Sequence, residues 1–136
     1  MTFIMPQKVK FKHCDPAGIV FYPRYFEMIN DCVEAFFDEA LSAPFEDIHR
    51  AAAVPTAQIA VTFSKPSYHG DRLSITLDCT SLGRSSLGLR IAATCGAEQR
   101  FVATSTLVHV DATGRATPWP EDLRSRLADH VERAAA

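Results

Sequence analysis

The residues best suited to chemistry lie in one short loop, Cys14-Asp15-Pro16-Ala17-Gly18, which carries a carboxylate and leads into a long apolar helix. The first turn of a helix leaves backbone N–H groups unpaired and carries partial positive charge. Tyr22 stands directly before Pro23, so its N–H is a candidate donor to a developing oxyanion. A carboxylate and an oxyanion donor on one loop are the minimum for acyl transfer or hydrolysis.

The residues by themselves also allow a plainer interpretation of Asp15. Aspartate is common in turns and at the N-termini of helices, where it stabilises the chain without doing chemistry. Physical reasoning alone therefore leaves both a catalytic carboxylate and a capping carboxylate open. The choice between them depends on the elements that position the loop.

The element that follows the loop is predicted to be an amphipathic helix over residues 22–41. Apolar residues recur there at helical spacing, and charged or polar residues fill the opposite side. Pro23 suits the first turn, where a missing N–H costs nothing, and Pro44 lies just beyond the predicted end.

Alternation with a period of two predicts strands on both sides of this helix. Residues 8–13 are expected to form a first strand, and four more segments alternate after the helix, at 57–63, 73–80, 87–95 and 101–110. Residues 121–133 are expected to form a terminal helix. The pattern predicts an α+β fold, in which about four strands in a meander form an antiparallel sheet wrapped around one long central helix, with a C-terminal helix added.

The loop and the start of the helix carry a longer motif, Asp15-Pro16-Ala17-Gly18-Ile19-Val20-Phe21-Tyr22-Pro23-Arg24-Tyr25. This motif resembles the signature of the 4-hydroxybenzoyl-CoA thioesterase family of hot-dog-fold enzymes, and the likeness extends through the order of elements over nearly the whole chain. The resemblance implies one hot-dog domain over residues 1–136 that hydrolyses an acyl-CoA thioester to a free acid and CoA. It also implies that two chains pair side by side, with active sites at their interface, and that the dimers associate further, commonly as homotetramers.

The resemblance also assigns roles within the motif. Asp15 matches the catalytic aspartate, and Tyr22 matches the position whose backbone N–H polarises the thioester carbonyl. Gly18 matches the glycine that lets the loop pass close to the substrate. Asp15 would either attack the carbonyl carbon, giving a mixed anhydride that water cleaves, or activate water as a general base.

A second candidate binding segment is the predicted turn Leu82-Gly83-Arg84-Ser85-Ser86-Leu87. Arg84 can pair with a phosphate, and Ser85 and Ser86 can bond an amide-rich ligand. The resemblance places such a turn along the path of pantetheine and nucleotide, although an ordinary polar turn explains the same residues. Other basic residues could equally hold the phosphates: Lys65, Arg90 and Arg100.

Two more residues near the loop are candidates for contact with substrate. His13 is the histidine nearest to Asp15, and in a strand its ring would point to the opposite side from Cys14. Tyr25 lies close to the loop and is a candidate to line an acyl pocket, although aromatic residues at helical spacing more often pack in a core.

The composition excludes several classes of function. With 136 residues and a formal net charge of −2, the chain has no general attraction to nucleic acid or to an anionic membrane. It has no apolar run long enough to span a bilayer, and its first residues do not resemble a signal peptide. The four cysteines and five histidines show no metal spacing. We therefore expect reduced thiols, a cytoplasmic location, no metal, and no cofactor other than the coenzyme A of the substrate.

Two alternatives to an acyl-CoA thioesterase stay open at this stage. One is a non-catalytic module of the same fold that binds acyl-CoA or an acyl carrier, and the other is a thioesterase acting on acyl-carrier protein. Asp15 favours an enzyme, because a binding module has no need for a carboxylate at that place. The acyl group is open between an aromatic group, such as hydroxybenzoyl or benzoyl, and a short aliphatic one.

Overall fold

A computed structural model describes residues 2–135, with side chains described as far as residue 131. The chain forms three helices, α1 (Pro23–Ala35), α2 (Phe45–Ile48) and α3 (Glu121–Ala135). Its strands are β1 (Phe3–Lys8), β2 (Ala52–Ala53), β3 (Thr56–Phe63), β4 (Arg72–Leu82), β5 (Ser86–Cys95), β6 (Glu98–Val108) and β7 (Val110–Asp111).

Helix α1 is the central helix that the apolar spacing predicts. It begins at Pro23, and a π-helical turn over Phe36–Ala40 extends it, so the predicted span of residues 22–41 is confirmed. One face is buried throughout, because its apolar residues recur every three to four positions. The buried side chains on α1 and the π-turn are Tyr25, Met28, Ile29, Cys32, Val33, Phe36 and Phe37.

Five strands form one antiparallel sheet in the order β1-β4-β5-β6-β3. Alternate residues of the three middle strands are buried, as period-two alternation predicts: Leu73, Ile75 and Leu77 on β4, Leu87, Leu89 and Ile91 on β5, and Phe101, Ala103 and Leu107 on β6. The sheet therefore packs one apolar face on the core that contains the central helix. Strands β2 and β7 form a separate two-stranded ribbon.

The prediction of a first strand over residues 8–13 was wrong. Strand β1 ends at Lys8, the last residue to pair with β4, and residues Phe11–His13 form a short 3₁₀ turn. The physical reason is a local hydrogen bond, in which the Lys10 N–H donates to the His13 ring Nδ1 at 2.9 Å. That bond gives the backbone an alternative to the sheet ladder.

The prediction of four consecutive strands in a meander was also wrong, because β3 pairs with β6 and not with β4. Only β4, β5 and β6 form the meander. Residues 64–71, which we call the crossing segment, carry the chain from one edge of the sheet to β4. Alternation specifies which face of a strand is buried, but it does not specify which strand is its neighbour. The observed pairing places Phe63 of β3 against Tyr25 of α1, with ring centroids 5.4 Å apart.

Helix α3 packs beside the end of the central helix. Leu123 and Leu127 are buried, and the ring of His130 meets Phe36 edge-on with centroids 5.1 Å apart. The Arg126 Nη1 donates a hydrogen bond of 2.7 Å to the Leu41 carbonyl, which joins α3 to the end of the π-turn. Across residues 2–135, the helices lack the length and apolar character that a membrane crossing requires.

Candidate active site

The motif loop is a tight hairpin that its own backbone closes. The Asp15 N–H donates to the Ile19 carbonyl at 3.0 Å, and the Gly18 N–H donates to the Asp15 carbonyl at 2.9 Å. Gly18 has a φ of +82°, a backbone conformation that glycine adopts without the strain a side chain would bring. The sequence therefore has a local reason to place glycine at this position, independent of any substrate.

Two neighbouring segments hold the loop in place. The Val20 N–H donates to the Ser67 carbonyl of the crossing segment at 2.9 Å, and the Phe21 N–H donates to the His13 carbonyl at 2.9 Å. Ile19 and Tyr68 form an isolated antiparallel bridge. The approach to α1 is therefore fixed from both sides.

The Tyr22 N–H differs from the N–H groups of Val20 and Phe21 just before it. Within residues 2–135, no backbone or side-chain acceptor is bonded to it. Tyr22 caps the N-terminus of α1, where the helix leaves N–H groups without intrahelical partners. The structure thus presents one free N–H donor at the positive end of the central helix.

Asp15 is half-buried, and one of its carboxylate oxygens is already used. Its Oδ1 accepts the Ala17 N–H at 2.8 Å, which orients the carboxylate, and no donor in the described part of the chain is bonded to Oδ2. The side chain lines a hollow of about 380 Å³ together with Lys12, Cys14, Pro16, Phe21 and Arg24. Arg24 is paired with Glu27 at 2.6 Å, so Lys12 is the cation of this hollow that has no ion-pair partner among the described residues.

A second hollow of about 360 Å³ adjoins the other side of the loop and is mainly apolar. Tyr22, Tyr25 and Phe63 form an aromatic wall, with ring centroids 5.4 Å apart for Tyr25–Phe63 and 6.5 Å for Tyr22–Phe63. The remaining lining residues are Ile19, Val20, Ser64, Lys65 and Pro66. Tyr25 thus lies in the wall of this hollow.

A comparison with known protein families adds to this geometry. The profile of the "Thioesterase-like superfamily" matches residues 9–127, which is most of the chain. The chain belongs to this superfamily. A 1,4-dihydroxy-2-naphthoyl-CoA hydrolase of Synechococcus elongatus is 27% identical over 125 residues, which cover 88% of this chain and 90% of the relative.

Solved structures of thioesterases have the same fold. The structure of Slr0204, a 1,4-dihydroxy-2-naphthoyl-CoA thioesterase from Synechocystis, matches with a TM-score of 0.88 at 19% identity, covering 95% of this chain and 97% of that one. The BH1999 gentisyl-coenzyme A thioesterase matches with a TM-score of 0.84 at 23% identity, covering 92% and 99%. The predicted hot-dog fold is confirmed, and so is the prediction of an acyl-CoA thioesterase.

The structure places His13 behind the motif loop of this thioesterase and not in the wall of either hollow. It is buried, and its Nδ1 accepts the Lys10 N–H, which requires a ring that is not protonated at that atom. Burial lowers the pKa of His13, and the positive charges of Lys12 and Lys10 lower it further. His13 therefore shapes the loop through its ring and its carbonyl.

The turn that contains Arg84, Ser85 and Ser86 lies at the other end of the sheet from Asp15. The motif loop adjoins the beginning of β4, and the turn follows the end of β4, so at about 3.3 Å per residue the two lie about 30 Å apart. One chain by itself does not bring the two predicted site segments together.

Among the other basic residues, Arg100 is not available for a phosphate. It is buried, and it pairs with Asp71 at 2.7 Å and with Glu98 at 2.8 Å. Arg90 is exposed on β5, and Lys65 lines the second hollow. Sequence reasoning did not identify Phe63 as a wall residue or Lys12 as a neighbour of Asp15. The alternation of β3 could have pointed to Phe63, whereas Lys12 carries no such signal.

The cysteines offer no competing nucleophile in the core. All four are unpaired thiols, and burial raises the pKa of Cys32 and of Cys79 to about 12. Cys14 lines the hollow of Asp15, and its thiol lies 3.7 Å from the Lys10 carbonyl. Over residues 2–135, no group of three or more His, Cys, Asp or Glu side chains is arranged to hold a metal ion.

Proposed function

We propose that this acyl-CoA thioesterase hydrolyses aromatic acyl-CoA thioesters, with Asp15 as the catalytic carboxylate and the Tyr22 N–H as the oxyanion donor. The observation that carries this proposal is the unsatisfied N–H of Tyr22 on the same loop as a half-buried carboxylate with a free oxygen. Donors directed at a developing oxyanion stabilise the transition state of acyl transfer, and a helix N-terminus adds its partial charge.

In this mechanism the thioester carbonyl oxygen accepts a hydrogen bond from the Tyr22 N–H. The Asp15 carboxylate then either attacks the carbonyl carbon, expelling the CoA thiolate and leaving a mixed anhydride for water to cleave, or removes a proton from an attacking water. The hydrogen bond from the Ala17 N–H keeps Oδ1 in place and leaves Oδ2 for the chemistry. No metal or separate cofactor takes part.

The aromatic wall of the second hollow supports an aromatic acyl group. Tyr22, Tyr25 and Phe63 present ring faces and edges, which pack well against another aromatic ring. The named substrates of the similar proteins carry one ring, as in gentisyl-CoA, or two fused rings, as in 1,4-dihydroxy-2-naphthoyl-CoA. We place this chain with the one-ring group, near the 4-hydroxybenzoyl-CoA thioesterases that its motif resembles.

The proposed active unit is a homodimer, which we expect to associate further into a tetramer. Strand β3 is an edge strand, and Phe63 at its end is 44% exposed. Other aromatic side chains around the loop are also exposed: Phe11 (80%), Phe21 (47%), Tyr22 (60%) and Tyr68 (53%). Exposed apolar clusters of this kind are typical of interaction surfaces, and an unpaired sheet edge is a template for a second strand.

A second copy joined along β3 would also supply the distant turn. Phe63 lies at the catalytic end of the sheet, and Thr56 lies at the other end, opposite Leu107 and close to the β4–β5 turn. Antiparallel pairing of two β3 strands therefore sets the catalytic end of one copy beside the Arg84 turn of the other. In this arrangement Arg84, Ser85 and Ser86 bind the phosphates and pantetheine of a CoA whose thioester lies at the first copy's Asp15.

A panel of acyl-CoAs in a thiol-release assay tests the proposed specificity. The values of kcat/KM should be highest for benzoyl, hydroxybenzoyl and gentisyl thioesters, lower for the larger dihydroxynaphthoyl thioester, and lowest for short aliphatic ones. A preference for acetyl-CoA over every aromatic thioester would contradict the proposal, and turnover of acyl-carrier protein alone would favour the carrier-protein alternative. Thiols that stay unpaired throughout the described chain fit a reducing compartment, so we propose a cytoplasmic enzyme.

A further inference from the structure

The crossing segment, residues 64–71, supports the catalytic loop although it has almost no regular structure of its own. It leaves β3, passes Pro66, and exposes Tyr68 before it enters β4. Backbone groups of such a segment need partners outside it, and a segment without them opens easily. The partners of this segment therefore decide how firmly it is held.

Arg100, near the start of β6, supplies more of those partners than any other residue, while Val9 bonds the Gly70 N–H and the Asp71 carbonyl. Its Nη1 lies 2.7 Å from Asp71 Oδ2, 3.1 Å from the Pro66 carbonyl and 3.2 Å from Ser67 Oγ. Its own carbonyl accepts the Ser64 N–H at 2.8 Å. Arg100 therefore contacts the crossing segment at its beginning, middle and end.

The charge of Arg100 is balanced within this network. The residue is 8% exposed, and besides Asp71 it has the Glu98 carboxylate 2.8 Å from Nε, an ion pair without the alignment of a hydrogen bond. Asp71 Oδ2 also accepts the Tyr68 N–H at 2.9 Å. Because a buried charge that loses one partner is costly, the segment is confined to the conformation that keeps these contacts.

That conformation reaches the catalytic loop in one further step. Ser67, which is fully buried, accepts the Val20 N–H through its carbonyl, and Val20 lies two residues before Tyr22. The same segment supplies Ser64, Lys65 and Pro66 to the wall of the second hollow. We propose that Arg100 is a positioning residue for thioester hydrolysis, which fixes the crossing segment and through it the position of the Tyr22 N–H.

This inference rests on the proposed role of Asp15 and the Tyr22 N–H, and it adds a residue that touches neither hollow. A displacement of about 1 Å at a catalytic donor can lower turnover by about a hundredfold. The hairpin's own backbone bonds end at Ile19 and do not reach Tyr22, whereas the Val20 N–H and the Phe21 N–H both bond acceptors outside the loop.

The test is the Arg100→Lys variant, which keeps a positive charge but has one nitrogen, so it cannot contact Glu98 and the Asp71, Pro66 and Ser67 acceptors at once as Nε and Nη1 do. We expect kcat to fall about tenfold or more while KM stays within about twofold, because the loss is of transition-state stabilisation. Hydrogen exchange at the Val20 amide should accelerate, while amides in the middle of β5 keep their protection. Arg126→Lys is the matched control, since Arg126 also binds a backbone carbonyl but at the end of the π-turn.

A kcat for folded Arg100→Lys within twofold of the parent enzyme overturns the proposal, and so does a fall in kcat with unchanged exchange at Val20. Should Arg100→Lys fail to fold, Asp71→Asn removes the anion and keeps the shape, and it must show a smaller fall in kcat together with faster Val20 exchange. Asp15→Asn distinguishes a failure of the proposed mechanism from a failure of the proposed role of Arg100. If that variant stays active, the proposed mechanism fails, whereas the effect of Arg100 on Val20 exchange is measured independently of turnover.

Discussion

The two ends of the five-stranded sheet hold their loops in different ways. At the catalytic end, the motif loop depends on the crossing segment and a buried Arg100 network, and it leaves a carboxylate oxygen and an N–H unpaired. At the far end, each of the four carbonyls of the Gly83–Ser86 turn accepts a hydrogen bond. The carbonyls of residues 83, 84 and 85 accept in turn from Arg124 Nη1, the Trp119 N–H and the His109 N–H, and the Ser86 carbonyl accepts from both the Gly83 N–H and Trp119 Nε1.

This difference separates two kinds of binding. The far turn has all its carbonyls bonded, so what it offers to a ligand are donors such as the Arg84 guanidinium, which suits the recognition of an anionic group such as a phosphate. The motif loop keeps a carboxylate oxygen and an N–H without internal partners, so neighbouring segments must fix their geometry. Substitutions at the catalytic end should therefore act mainly on kcat, and substitutions at the far end on stability and KM.

The largest effect is expected at Asp15. Asp15→Asn removes the charge and keeps the shape, so kcat should fall by about a thousandfold or more while the melting temperature changes little. Steady-state thiol release and a thermal melt measure both quantities. A kcat near that of the parent enzyme would show that the unpaired carboxylate oxygen of Asp15 does not set the catalytic end apart from the far end.

The next largest effect is expected in the support of the far turn. Trp119 is buried, it stacks on His109 with centroids 5.0 Å apart, and its Nε1 donates to the Ser86 carbonyl at 3.1 Å. Trp119→Ala should lower the free energy of unfolding by about 3–5 kcal/mol. Urea unfolding measures this loss, and Trp119→Phe, which removes the N–H but keeps most of the ring packing, should cost only about 1–3 kcal/mol.

Arg84 tests whether the far end binds coenzyme A. Arg84→Ala should raise KM about tenfold and leave kcat within about twofold, since a charge-assisted contact to phosphate is worth about 1.5–3 kcal/mol. Arg84→Lys should recover part of the loss, because it keeps the charge without the planar fork. An unchanged KM for acyl-CoA would show that the turn has no role in binding, and the two ends of the sheet would then differ only in how they contribute to stability.

The smallest effect concerns the response of the catalytic end to acid. The hydrogen bond from Arg100 lowers the pKa of Asp71 below its ordinary value, with a further contribution from the Tyr68 N–H. A carboxyl with a depressed folded-state pKa contributes stability above its ordinary pKa, and this contribution is lost as the pH falls through the folded-state value. The difference in urea midpoint between the parent enzyme and Asp71→Asn should therefore be largest near neutral pH and shrink toward about pH 3. A difference in urea midpoint that stays constant with pH would show that the charge of Asp71 does not contribute to the stability of the Arg100 network.

Much of the fold was predictable because local periodicity carries it. The apolar spacing of α1 specified the central helix, and alternation specified β3 to β6 closely. Two errors had different causes. Alternation over residues 8–13 competed with a local bond to the His13 ring, and alternation could not say that β3 pairs with β6, because strand neighbours are chosen by contacts far apart in the sequence.

The sequence by itself determined the motif loop, its glycine at positive φ, the helix it enters and the enzyme class, since each depends on residues close together along the chain. Tertiary structure alone decided that Arg84 lies at the far end of the sheet from Asp15, and that Arg100 is buried in ion pairs and not free for a phosphate. The first outcome follows from the pairing of β1 with β4, and the second from the path of the chain between β3 and β4. Both depend on contacts between residues far apart in the sequence, and no short stretch of residues determines their free energy.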